Sequence, residues 1–290
     1  MDKLSLDCRF FVFHKALSIA ERYFAHWKTV PKLSTKYLVK KYSKRVFKES
    51  DRYRFYLLMK EIMAEFRNGH TFYYDRLVYV AKGMPCGFKA DYHDKLKKWF
   101  ITKSWIKDIA VGSIITRIDG KTTEAFFRAK EKYLNGADER SKRNELFQRA
   151  WLLPIKFRME LNGEKIVNIN RTKIKPYKNE ERPVICKTLN KNVGYIKVTT
   201  FGQSIYEKKV INYLNKIKKF KTIIIDIRDN NGGNTPFGLI RKLSNKKWKM
   251  PINTEVVQLT ALQKQYPSPG LFNGKNYYTY KGTIYKKKCV

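Results

Sequence analysis

One stretch constrains this chain more than any other. Thr222-Ile223-Ile224-Ile225-Asp226-Ile227 runs directly into Arg228-Asp229-Asn230-Asn231-Gly232-Gly233-Asn234. A nearly continuous β-branched run is what a strand buried on both faces requires. The charges and paired glycines that follow predict a tight loop at a helix N-terminus, with Thr235 as the cap and Pro236 at the first helical position. Glycine permits positive φ and close approach by a ligand. Unpaired backbone N–H groups at such a loop favour an anion, either a phosphate or the oxyanion of an acyl-transfer intermediate. A P-loop needs Lys-Ser/Thr after its second glycine, whereas Asn234-Thr235 stand here. A Rossmann fingerprint is absent too. Asp226 and Asp229 have no accompanying ligand cluster, so no metal and no organic cofactor is expected. On spacing alone, a purely structural strand-to-helix turn stays open as an alternative.

The surroundings of this loop read as a βαβ unit. Val193 to Thr199 and Thr254 to Thr260 are predicted strands, and Ser204 to Lys218 a helix with Val210, Tyr213, Leu214 and Ile217 inward. In such units function sits at the carboxyl ends of the strands. The first 70 residues have helical spacing instead: Phe10 to Trp27, then a helix capped by Ser34, then one capped by Ser50 or Asp51 and stopped near Asn68-Gly69. Between these regions lie short predicted strands: Val78–Ala81, Trp99–Thr102, Ile106–Ala110, Ser113–Ile118, Ile155–Leu161 and Lys165–Asn170. Asp119-Gly120 and Asn162-Gly163 supply hairpin turns. Helices are predicted over Thr123–Tyr133 and Arg140–Leu152. The polar stretch Lys173–Pro183 contains two prolines and predicts a linker. The expected fold is mixed α/β in three parts: residues 1–71, 72–175 and 183–290.

Charge raises a different class of function. The chain has 62 basic and 25 acidic residues, a formal net charge of +37. That suits nucleic acid or an anionic membrane surface. The lysines are spread along the chain, however, and no zinc-finger or RNA-binding signature accompanies them, so no specific nucleic-acid partner is expected. Cys8, Cys86, Cys186 and Cys289 form no CxxC pair, which argues against zinc and a disulfide scaffold and predicts buried free thiols. No apolar run approaches the roughly 20 residues that span a bilayer. Met1 to Phe13 lacks the basic start, apolar stretch and cleavage site of a signal peptide. Compartment and oligomeric state are not fixed by these features.

Asp226-x-Arg228-x-Asn230-x-Gly232-Gly233 resembles the D-x-R-x-N-x-G-G signature of S41-family serine peptidases. Val193-Gly194-Tyr195-Ile196-Lys197-Val198-Thr199-Thr200-Phe201 is similar to the strand that precedes it in that family. Gly112-Ser113-Ile114-Ile115-Thr116-Arg117-Ile118-Asp119-Gly120 looks like a PDZ segment, with Ser113 and Asp119 departing from the usual Asp and Asn. Phe66-Arg67-Asn68-Gly69-His70-Thr71 is similar to the D-G-H-T of tricorn-like members, with Asn68 replacing Asp. The resemblance implies a helical N-terminal region, a PDZ-like module and the start of a ClpP/crotonase-like peptidase core.

It further implies proteolysis through an acyl-enzyme, as in tail-specific proteases. His70 would be the general base, and Gly232 or Gly233 would offer an oxyanion N–H. Asp226, Arg228 and Asn230 would hold the loop. Gly112, Ser113, Ile114 and Ile115 would bind an extended polypeptide substrate. His14, His26 and His93 carry no motif. The family's nucleophilic serine follows a further apolar strand, which Gly282 to Val290 resembles at its beginning. The serine is therefore expected outside these residues, the chain to be truncated at Val290, and the 290 residues alone to be inactive. Ser204 and Ser268 lack the context of a nucleophile. Members of the family are often extracytoplasmic. Three alternatives stay open: a non-catalytic peptide-binding remnant, a basic nucleic-acid binder and a phosphate-binding α/β protein.

Overall fold

The computed structural model describes residues 2–175, 182–228 and 230–244, together with the backbone of 254–258 and 277–281. Two compact units divide the chain, with Met1–Tyr177 the body of the first and Lys178–Glu255 that of the second.

The first unit opens with three helices. In α1 (Leu6–Tyr23) the Ser5 hydroxyl accepts the Cys8 N–H at 3.2 Å. Ser34 caps α2 (Thr35–Lys48) through the Tyr37 N–H, and Asp51 caps α3 (Arg52–Ala64) through the Arg54 N–H. Each helix turns an apolar stripe inward: Phe13, Leu17 and Ala20; Leu38, Tyr42 and Val46; Phe55, Met59 and Ile62. These meet in one core. Buried Arg9 reaches across to the Val46 and Phe47 carbonyls at 3.2 and 3.0 Å, satisfying acceptors that the end of α2 leaves open. A fourth helix, α4 (Arg76–Lys82), stands where Val78–Ala81 predicts a strand. Asp75 decides this: its carboxylate accepts the Leu77 and Val78 N–H groups and is clamped by Arg52 at 2.9 and 3.3 Å. A well-held N-cap outweighs the β propensity of two valines.

An antiparallel sheet follows, built from β1 (Phe88–His93), β2 (Lys98–Ser104), β3 (Ile114–Ile118), β4 (Lys121–Thr122), β5 (Lys156–Leu161) and β6 (Lys165–Asn170). The order is β1-β2-β3-β5-β6, with β4 paired to β3. Both expected hairpin turns form. Asp119 and Gly120 have φ of 48° and 77°, and Asn162 and Gly163 of 56° and 83°. Two positive φ values in succession match the twist of the flanking strands. Strand β1 is absent from the sequence expectation, although Phe88, Ala90 and Tyr92 alternate inward. Ile106–Ala110 is a turn, not a strand, held by the Ser104 hydroxyl at the Ile106 N–H, 3.2 Å. The helices α5 (Thr123–Lys130) and α6 (Glu139–Glu145) lie between β4 and β5, each shorter than expected and each followed by a single 3₁₀ turn. Trp99, Phe127, Phe147 and Trp151 fill the core beneath the sheet. Cys86 belongs to that core, and burial pushes its thiol up to about 11. Cys8 is exposed, contrary to the expectation of buried thiols.

The second unit contains β7 (Val184–Asn190), β8 (Val193–Val198), α7 (Ser204–Ile217), β9 (Thr222–Asp226) and α8 (Phe237–Leu243). Strand β7 is antiparallel to β8, and β8 is parallel to β9, the crossover being α7. Val210, Leu214 and Ile217 bury one face of α7 against Ile196 and Val198. Two expectations need correction. Among the described residues β9 is an edge strand with Ile224 42% exposed, not a strand covered on both faces. Thr235 does not cap α8, which begins after Pro236. The Glu207 carboxylate of α7 takes that role, accepting the Leu239 N–H at 2.9 Å. Two further strands, β10 (Thr254–Gln258) and β11 (Tyr277–Lys281), pair with each other. The fold is mixed α/β.

Candidate active site

The loop after β9 is held by its own side chains. Asp226 ends the strand almost fully buried and accepts four hydrogen bonds: from the Arg228 N–H at 2.9 Å, Arg228 Nε at 2.9 Å, Arg228 Nη2 at 2.7 Å and Tyr195 Oη at 2.6 Å. Arg228 beside it holds the carboxyl well below the usual carboxylate range, with help from the Tyr195 hydroxyl, against the opposing effect of burial. Burial, followed by the bond to Asp226, pushes the Tyr195 phenol up. Because the folded value of Asp226 is depressed, its contribution to stability is complete above the unfolded value, about 4. That contribution is lost as pH falls below this towards the folded value. Tyr195→Phe removes one donor to a charged acceptor. The expected cost is about 1–2 kcal/mol in the second unit at neutral pH, shrinking as acid protonates Asp226. Denaturant titrations at pH 7 and below pH 4 would measure it, and an equal cost at both would contradict the clamp.

Beyond Asp226 the loop extends the parallel ladder past the end of β8. Asn230 Nδ2 donates to the Val198 carbonyl at 3.1 Å, and its Oδ1 accepts the Gly232 N–H at 2.8 Å. The Asn231 N–H donates to Thr199 O, the Phe201 N–H to Gly232 O, and the Asn234 N–H to Phe201 O, at 3.0, 2.8 and 3.1 Å. Gly233 thus faces Phe201 across a parallel bridge. The glycines are not equivalent. Gly232 has φ +92° and open space where a Cβ would stand, but its N–H is taken by Asn230. Gly233 has φ +123°, and a Cβ there would lie 2.2 Å from the Phe201 carbonyl carbon. The Gly233 N–H has no partner among the described residues and sits on an exposed segment. Of the two candidates, Gly233 has the N–H available to an anion. Asp229 lies outside the described residues, and among those described no group of three His, Cys, Asp or Glu can hold a metal.

His70 belongs to the first unit. It is exposed on the turn that follows α3, where its N–H donates to Asn68 Oδ1 at 2.8 Å. The next carbonyl, of Thr71, accepts from Asn135 Nδ2 at 2.6 Å, and Asn135 is buried. The PDZ-like segment is less open than a strand-adding site requires. Gly112 and Ser113 are hydrogen-bonded to Ile101, and Ile114 and Ile115 lie in β3 between β2 and β5. Both edges of β3 are occupied, so an incoming strand has no ladder groups to meet there. The outer strands of this sheet are β1 and β6. Two supporting residues escaped the sequence reading. Tyr195 lies inside a recognised strand, but nothing in its spacing announces a bond to Asp226. Asn135 stands in no motif and meets Thr71 from 64 residues away. Ser204 is an exposed residue at the start of α7, and Ser268 and the strand expected at Gly282 to Val290 lie outside the described residues.

Among the described residues no helix is long and apolar enough to cross a membrane. Residues 192–265 match the model of Peptidase family S41, and that match contains the whole glycine loop. No curated protein sequence matches the chain significantly. Solved structures do. Mature CPAF is similar over 90% of this chain and 62% of its own, at 10% identity and a TM-score of 0.58. CPAF complexed with lactacystin covers the same shares at a TM-score of 0.60. A CPAF mutant reaches 0.62 over 92% of this chain and 65% of its own. The chain thus spans less than two thirds of the length of these structures. It carries the sequence pattern of Peptidase family S41 at residues 192–265, on a fold that it shares with CPAF.

Proposed function

We propose that this chain is the front part of a serine peptidase of the S41 family, of the tricorn-like branch, acting on polypeptides through an acyl-enzyme. Residues 1–71 are its helical region, 72–175 its PDZ-like module and 183–290 part of its peptidase core. The observation that carries this reading is the loop after β9. Four donors fix Asp226, Asn230 bridges β8 to Gly232, and among the described residues the N–H of Gly233 is exposed and without a partner. A rigid backbone donor without a protein partner is what a developing oxyanion needs. Asp226, Arg228 and Asn230 serve as its scaffold. The match to the family model over 192–265 supports the same reading.

His70 is the general base. It stands exposed on a short turn held by Asn68 and Asn135, where an imidazole can reach a reacting group. The nucleophile is a serine outside these 290 residues, because neither Ser204 nor Ser268 has the sequence context of a nucleophile. The 290 residues alone are therefore expected to bind polypeptide without cleaving it. The PDZ-like module would present substrate at an outer strand of its sheet, not at Gly112 to Ile115.

A serine-reactive fluorophosphonate tests this directly. It should leave the purified 290-residue chain unlabelled. It should label a larger form from the native source, and His70→Ala should abolish that labelling. A labelled serine within the 290 residues would overturn the assignment of the nucleophile. A native form of 34.5 kDa that takes no label would leave a peptide-binding protein without catalysis.

A further inference from the structure

The first helix has an apolar stripe too many. Its inward face is complete with Phe13, Leu17 and Ala20. A second row, Phe11, Lys15 and Ile19, repeats every four residues along one side of α1. Phe11 is 69% exposed and Ile19 48%. Across from this row runs the segment that follows His70, where Phe72 and Tyr74 are 59% and 53% exposed. Together they wall an open groove of about 640 Å³ with His70 in its lining. A volume of that order accepts a few large side chains. Large apolar side chains gathered on one concave surface mark a binding site more often than scattered ones do.

Charge selects the occupant. None of the lining residues is acidic, whereas Lys15 is among them, and the chain as a whole carries +37. A second copy of the chain would bring the same positive field to the contact, and like charges oppose association. A flat bilayer does not follow a concave wall. We propose that this groove binds an extended polypeptide segment whose large apolar side chains enter it and whose flanking carboxylates meet Lys15 and the surrounding positive field. This requires binding only, and so goes beyond the peptidase reading without depending on turnover.

Labelled short peptides followed by fluorescence anisotropy test it on the 290-residue chain. Three are compared: Phe and Leu flanked by Glu, the same with Lys replacing Glu, and the acidic one with Ser replacing Phe and Leu. Only the first should bind well, and added salt should weaken it. Phe11→Ser with Phe72→Ser should weaken it about tenfold or more, the loss of roughly one well-buried apolar contact. Both residues are more than half exposed, so circular dichroism should be unchanged. Lys15→Glu should weaken the acidic peptide and spare the Ser-substituted one.

The proposal is overturned if no peptide binds, if the basic peptide binds as tightly, or if the groove variants bind as the parent does. It is overturned equally if Phe11→Ser instead splits a dimer, or abolishes binding to anionic vesicles while peptide binding is absent. Peptide binding that needs Phe11, alongside a native protein that never labels with fluorophosphonate, would sink the peptidase reading and keep the groove. Labelling with peptide binding indifferent to Phe11 would do the reverse.

Discussion

Gly233→Ala is expected to detach the glycine loop from the end of β8 and to cost about 3–5 kcal/mol in the second unit. The new Cβ would lie 2.2 Å from the Phe201 carbonyl carbon, 2.3 Å from the Gly202 nitrogen and 2.4 Å from the Phe201 oxygen. All three are backbone atoms, so no side chain can swing aside. Relief requires opening the Phe201–Gly233 bridge, with loss of the Phe201 N–H bond to Gly232 and the Asn234 N–H bond to Phe201. Two such bonds are worth about 1 kcal/mol each, and holding alanine at φ +123° adds roughly 1–3 kcal/mol. Gly232→Ala is the control. Its φ of +92° carries strain, but open space surrounds the position, so about 1–2 kcal/mol is expected. Amide hydrogen exchange reads the difference. The Asn234 amide should lose protection by about a hundredfold or more in Gly233→Ala and far less in Gly232→Ala. Equal losses in the two variants would show that the close approach to Phe201 is not what Gly233 is for.

Lys60→Met should stabilise the first unit at neutral pH. Lys60 is 6% exposed on α3, with no carboxylate ion partner among the described residues. Its ammonium sits 5.0 Å from the Trp151 ring centre, 5.7 Å from Phe72 and 6.0 Å from Tyr56, and reaches the Tyr73 carbonyl at 3.5 Å. Burial, reinforced by Arg149, pulls the amine down from 10.5 to about 8. That displacement corresponds to about 3 kcal/mol of cost to the charged form. The aromatic faces offset no more than roughly 2 kcal/mol of this, so methionine should gain about 1–3 kcal/mol at pH 7.

The sign with pH follows from linkage. Below about 8 both folded and unfolded chains carry the proton, and the cost is fully present. Between about 8 and 10.5 the unfolded chain holds a proton that the folded chain has released, so the parent gains stability as pH rises. The advantage of methionine should therefore be flat below pH 8 and fade by pH 10.5. Cys86 and Tyr73, pushed up by burial to about 11 and about 12, oppose this trend in the parent. The difference between variant and parent removes their contribution. Urea unfolding followed by tryptophan fluorescence suits the measurement, because four of the five tryptophans, Trp27, Trp99, Trp105 and Trp151, lie in the first unit. A destabilised Lys60→Met, or a gain that does not change between pH 8 and 10.5, would refute the unfavourable buried charge.

Local signals were strong wherever one residue type has a single physical use. Ser34 caps α2 as expected, and Asp51, one of the two residues the sequence offered, caps α3. Asp119-Gly120 and Asn162-Gly163 turn hairpins because both residues of each pair adopt positive φ. The stripes of the first three helices fall on the core as the spacing predicts. Signals failed where a distant partner chose between alternatives. Val78–Ala81 has strand composition, yet Asp75, held by Arg52 from α3, starts a helix there. Thr235 has the chemistry of a cap, yet Glu207 from the preceding helix supplies the bond.

The site divides in the same way. The sequence by itself determined that a β-branched strand ends in an aspartate, an arginine, an asparagine and two glycines, and that order fixes which groups lie within reach of one another. Asp226 meets Arg228, and Asn230 meets Gly232, two residues on, because short polar side chains bond to backbone close by. Only the tertiary structure decided which glycine has no room for a Cβ and which N–H lacks a partner among the described residues. Phe201, 32 residues from Gly233, brings its carbonyl to the place where a Cβ would stand. Tyr195 on the neighbouring strand supplies the fourth donor to Asp226. Sequence encodes contacts made within a turn because chain geometry leaves few options. Contacts across strands depend on register and close packing, and those are set only when the whole core has assembled.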